Sequence, residues 1–107
     1  MHLTQQERDV LAGVVRRLKT DFHAEQVMLY GSAVRGEMDK ESDVDLLAIM
    51  PCADWATKKR VCDLCFEAEL GLGRIISVLC IGKDAAENSP LRSSPLLALV
   101  RTEGVAL

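Results

Sequence analysis

Residues 30–50 read YGSAVRGEMDKESDVDLLAIM. A Gly-Ser pair, Gly31-Ser32, is followed after ten intervening residues by Asp43-x-Asp45, and the two aspartates open an otherwise apolar run. Side chains alternate across a strand, so Asp43 and Asp45 project from one face. Leu46 to Met50 continue into a core, which leaves the aspartates where the sheet meets solvent. Two like charges so close repel each other. A divalent cation removes the conflict, because carboxylates are the hard oxygen ligands that suit Mg²⁺, with waters and phosphate oxygens completing its octahedron. Gly31 lets the backbone approach a ligand, and Ser32 can cap a helical turn over residues 32–36 whose unpaired N–H groups accept phosphate oxygens. The stretch therefore reads as a metal site on one strand beside an anion cradle at the end of its neighbour. Together they suit the phosphates of a nucleoside triphosphate.

Working outward, residues 26–30 (QVMLY) form a first strand that ends at Gly31, and residues 43–50 form a second that Pro51 stops. Upstream, Thr4-Gln5-Gln6-Glu7 has the capping-box form, and Val10, Leu11, Val14, Val15, Leu18 and Phe22 recur at helical spacing. Downstream, Asp54 caps a helix of about 17 residues that ends at Gly71-Leu72-Gly73. Residues 74–81 (RIISVLCI) are almost wholly apolar, which predicts a central third strand. A polar segment, GKDAAENSP, precedes a last apolar helix from Pro95 that Gly104 closes, and residues 105–107 either add a short strand or fray. About a dozen residues join strands 1 and 2, which suits an antiparallel pair, whereas the helix between strands 2 and 3 suits a parallel crossover. The expected fold is α/β (α+β): a small mixed sheet with helices mainly on one face, in a single domain spanning residues 1–107.

The chain has 107 residues, 49% hydrophobic and 27% charged, with a net charge of -3. No basic excess exists to neutralise phosphates broadly, so nucleic acid is not expected as the main partner. No apolar stretch reaches the roughly 18 to 20 residues of a membrane span, and the N-terminus lacks a signal peptide's apolar region, so the expected location is the cytoplasm. Cys52, Cys62, Cys65 and Cys80 are then reduced thiols. Cys62-x-x-Cys65 lies in a helical pattern without a second such pair or a nearby histidine, and reads as small side chains packing a helix face. His2 and His23 stand alone near helix ends.

Gly-Ser, ten residues, then D-x-D between strands resembles the nucleotidyltransferase superfamily that includes DNA polymerase β. Residues 27–50 in particular are similar to the minimal nucleotidyltransferases, small proteins often paired with a helical partner in toxin-antitoxin systems. The resemblance implies transfer of a nucleoside monophosphate, usually AMP from Mg-ATP, to a hydroxyl of a partner, with release of pyrophosphate. It implies that Gly31 and Ser32 hold the β- and γ-phosphates, that Asp43 and Asp45 are catalytic ligands of Mg²⁺ or Mn²⁺, and that Arg35 meets phosphate charge. The implied partners are ATP or another nucleoside triphosphate and a helical toxin, or a second copy of the chain.

The sequence departs from the superfamily at one position. Active members carry a third carboxylate on the next strand, and the matching place in RIISVLCI holds Ser77. A hydroxyl cannot replace that charge; Glu67, Glu69 or Asp84 could supply it from nearby. The chain is also too short for the helical domain with which larger relatives grip an acceptor. Two functions follow: a nucleotidyltransferase acting as an antitoxin, or a catalytically weak nucleotide- and partner-binding module on the same fold.

Overall fold

In the computed structural model the described residues are 3–31, Val34 and 43–107, the side chain of Leu91 excepted. Helix α1 spans Gln5–Thr20. Its capping box is complete: the Glu7 N–H donates to Thr4 Oγ1 at 3.1 Å and the Thr4 N–H to Glu7 Oε1 at 2.9 Å. Strand β1 is Gln26–Tyr30 and β2 is Val44–Met50. Helix α2, Trp55–Leu72, starts where Asp54 accepts the Thr57 N–H at 2.8 Å and ends at Gly73, whose φ of +73° is left-handed. Strand β3 is Ile76–Gly82, α3 is Lys83–Asn88, a 3₁₀ turn covers Pro90–Ser93, α4 is Pro95–Glu103 and β4 is Val105–Ala106.

The four strands lie in the order β3-β2-β1-β4. β1 is antiparallel to β2 and β4, and β2 is parallel to β3, as the connection lengths predict. One expectation fails: the apolar β3 is an edge strand, not a central one. Its Ile76, Val78 and Cys80 face the main core, while Ser77 and Leu79 on the other side are exposed. Residues 105–107 do not fray, since β4 pairs with β1 and the Leu107 N–H donates to the Val27 carbonyl at 2.9 Å.

Alternation along β2 divides the molecule into two layers. Val44, Leu46, Ala48 and Met50 are buried with Leu11, Val14 and Leu18 of α1 and Val61 and Leu64 of α2 in the main core. Leu47 faces the other way, into a smaller cluster with Ile81, Ala86 of α3 and Leu97 and Val100 of α4, joined by Met28, Tyr30 and Ile49. The two long helices thus cover one face and the two short ones part of the other. Among the described residues no helix is long and apolar enough to cross a membrane.

Candidate functional site

The end of β1 and the start of β2 lie side by side, and Gly31 and Asp45 meet there. Tyr30, the last residue of β1, stands opposite Asp45 in the antiparallel register. At the next residue, Gly31, the chain turns with φ +80°, and a Cβ there would lie 2.7 Å from Asp45 Oδ2. The position disfavours every other residue twice, once by backbone conformation and once because the Asp45 side chain would have to move. The turn closes where the Val34 N–H donates to the Gly31 carbonyl at 3.1 Å. Ser32 and Arg35 lie outside the described residues.

Asp45 is half-buried and Asp43 exposed. Alternation directs Asp45 to the side of Leu47 and Ile49, away from the main core, and gives Asp43, two residues earlier, the same side. On the neighbouring parallel strand Ser77 stands in register with Asp45 and is exposed. The hydroxyl thus sits on the strand next to the carboxylate. The three nearby acids do not reach it. Glu67 and Glu69 belong to α2, on the opposite face of the sheet; Glu69 accepts the Ile76 N–H at 2.9 Å, and Glu67 lies 4.0 Å from Arg17. Asp84 follows the far end of β3 and accepts a hydrogen bond from Asn88 at 3.0 Å.

Sequence reasoning missed Tyr30. Burial first, and the Asp45 charge second, push its hydroxyl above the ordinary phenol range, so it stays protonated beside the carboxylate and can donate a hydrogen bond. Only the β1–β2 register reveals this, because the two residues are fifteen apart in sequence. The cysteines lie elsewhere. Cys65 and Cys80 are buried, Cys52 and Cys62 exposed, and all four are free thiols. Burial pushes the Cys65 thiol up to about 12, which makes it a packing group rather than a nucleophile.

Two hard carboxylates on one side, open to solvent, suit a cation that keeps waters and brings phosphate oxygens with it. Among the described residues no group of three or more His, Cys, Asp or Glu side chains could enclose a metal by itself. The donor set fits a metal that arrives with its substrate better than a resident one.

The sequence profile of the nucleotidyltransferase domain family matches residues 11–98. No curated protein gives a significant match. Among solved structures, a toxin-antitoxin with AMP-PNP shares the fold with a TM-score of 0.59 at 18% identity, over 88% of this chain and 69% of that one. Two mutants of the toxin-antitoxin MntA-HpeT do so as well. One, with a tyrosine changed to alanine, gives a TM-score of 0.61 at 17% identity, over 94% of this chain and 70% of the other. The second, with two aspartates changed to glutamate, gives 0.58 at 14% identity, again over 94% and 70%.

Proposed function

The chain belongs to the nucleotidyltransferase domain family, and from that membership we propose that it transfers AMP from Mg-ATP to a hydroxyl of a helical partner protein, as an antitoxin acting on its toxin in the cytoplasm. The observation that carries this reading is the contact between the Gly31 turn and the Asp45 carboxylate. It brings the end of one strand and the acidic start of the next to a single point, where triphosphate and metal must meet.

In this reading Asp43 and Asp45 hold Mg²⁺ or Mn²⁺, Gly31 and Ser32 receive the β- and γ-phosphates through main-chain N–H groups, and Arg35 offsets phosphate charge. When bound, the cation supplies polarisation of the α-phosphate toward attack. Tyr30, kept protonated, donates to Asp45 or to a phosphate oxygen. The solved toxin-antitoxin structures, one of them with AMP-PNP, support a nucleotide and a protein partner.

Ser77 favours a second reading. With a hydroxyl in register with Asp45 and no other acid on that face of β3, the nucleophile lacks its deprotonating carboxylate. The chain would then hold a nucleotide and dock to its partner while transferring slowly or not at all. Label transfer from α-labelled ATP into lysate proteins, with Mg²⁺ or Mn²⁺, separates the two. A labelled band with the native chain, absent with Asp45→Asn, is expected for the transferase. Equal labelling by both chains excludes it, and no labelling despite measured Mg-ATP binding selects the binding module.

A further inference from the structure

Strand β3 is the edge of the sheet, and its outer side pairs with no strand among the described residues. The Val44 N–H donates to the Ile75 carbonyl at 2.9 Å, and Val44 stands in register with Ile76. The odd-numbered residues of β3 therefore turn their main-chain groups to β2, and Ile76, Val78 and Cys80 turn theirs outward. The Ile76 N–H fits this geometry, since it donates to Glu69 of α2 at 2.9 Å. Edge strands ordinarily refuse partners by means of charges, prolines or bulges. Residues 75–82, IISVLCIG, contain neither a charge nor a proline, and the register to β2 runs without a bulge from Ile76 to Gly82.

Open grooves flank this edge. One, of about 160 Å³, lies beside α2 and is lined by Cys62, Phe66, Glu69 and Val78. The other, of about 380 Å³, lies toward the far end of β3 and is lined by Lys58, Leu79, Ile81 and Ala85. Phe66 is 68% exposed and Ile75 58%, an unusual amount of apolar surface to leave beside an unpaired strand.

We propose that β3 pairs antiparallel with β3 of a second copy about a two-fold axis at Leu79, joining two four-stranded sheets into one of eight. In that register Leu79 meets its own copy and Val78 pairs with Cys80, so the outward main-chain groups of both residues are used in both copies. Charge selects a second copy over a foreign strand. Lys58, Cys62, Phe66 and Glu69 follow one another at helical spacing along the side of α2 that borders the two grooves. The stripe is basic near Cys80 and acidic at Ile76. A two-fold axis reverses one stripe against the other, so Lys58 of each copy meets Glu69 of the other and Phe66 fills the space beside Cys62. Seven residues at ~3.4 Å make a strip ~24 Å long and, with a layer on each face, on the order of 500 Å² per copy, against the ~800 Å² of a typical stable complex. The dimer is therefore reversible and concentration-dependent.

Sedimentation velocity on the full chain, from low to high micromolar concentration, tests this. The mass is expected to rise from 11.8 kDa toward twice that value. Leu79→Lys sets two like charges at the axis and holds the chain monomeric. Lys58→Glu weakens association several-fold, and adding Glu69→Lys restores it by reversing both ends of the stripe; this series carries the test if circular dichroism shows Leu79→Lys misfolded. A native chain that stays monomeric throughout overturns the proposal, and so does a dimer that a folded Leu79→Lys leaves intact or that the double reversal fails to restore.

Discussion

At Gly31 two independent requirements fall on one residue: a φ of +80° and a carboxylate oxygen 2.7 Å from where a Cβ would stand. An alanine there costs about 1–2 kcal/mol for the left-handed backbone alone, and it must also push Asp45 aside. Gly31→Ala is therefore expected to lower the unfolding free energy by that amount, seen as a lower urea midpoint with an unchanged slope, and to weaken Mg-ATP binding by far more than the stability change explains. A variant that binds Mg-ATP as the native chain does would separate the turn from the site. At this scale much was legible in the sequence, because strand alternation and the glycine's role are local. The outward side of Asp45 and the close approach at Gly31 follow from such rules, whereas Ser77 is placed by the family resemblance. Tyr30 follows from neither, since its partner is set by a register that no short stretch encodes.

Among the elements, those with chemical end signals were legible and those held by tertiary contact were not. Thr4 and Asp54 mark the starts of α1 and α2, and Pro95 that of α4, where the structure adds Ser94 as the cap. Helix α3 has no side-chain cap and forms within a segment that reads as a polar loop; Ala86, buried against Leu97 and Val100, holds it. The misplacement of β3 has a similar cause, because an apolar run says nothing about neighbours in the plane of the sheet, and Ser77 and Leu79 of β3 are in fact exposed. Glu7 shows how a cap signal also serves a longer-range contact. Its carboxylate accepts the Thr4 N–H and pairs with Arg74 just before β3, both side chains being 12% exposed. The Thr4 main-chain hydrogen bond, then the Arg74 guanidinium, hold its carboxyl below the ordinary value of 4.5. A lowered folded value means that Glu7 contributes stability above the unfolded value and loses it as pH falls through the folded one. The urea midpoint of the native chain is expected to drop more steeply below pH 4.5 than that of Glu7→Gln. Parallel curves would mean that the pair contributes nothing net.

Across the whole molecule the unequal covering of the sheet decides where chemistry can occur. Two long helices cover one face and two short ones part of the other, and on that second side Asp45 stands opposite Tyr30 and in register with Ser77. Glu67 and Glu69 are separated from that side by the sheet, and Asp84 lies past the far end of β3, so none of these three acids stands beside Ser77. A substitution at Ser77 can place one there. The residue is exposed, and a surface change of this kind ordinarily alters stability by less than about 0.5 kcal/mol. Ser77→Asp should therefore fold, with a small loss in the absence of metal from like charge beside Asp45. With Mg²⁺ added that loss should reverse: a ligand at a hundred times its dissociation constant contributes ~2.7 kcal/mol, and each kcal/mol moves the midpoint of a domain this small by ~4–8 °C. The variant is expected to melt higher in Mg²⁺ than without it, by a larger margin than the native chain, and to transfer nucleotide faster. If Mg²⁺ changes neither its melting nor its rate, the hydroxyl in register with Asp45 is not where the third carboxylate belongs, and slow transfer by the native chain would need another cause.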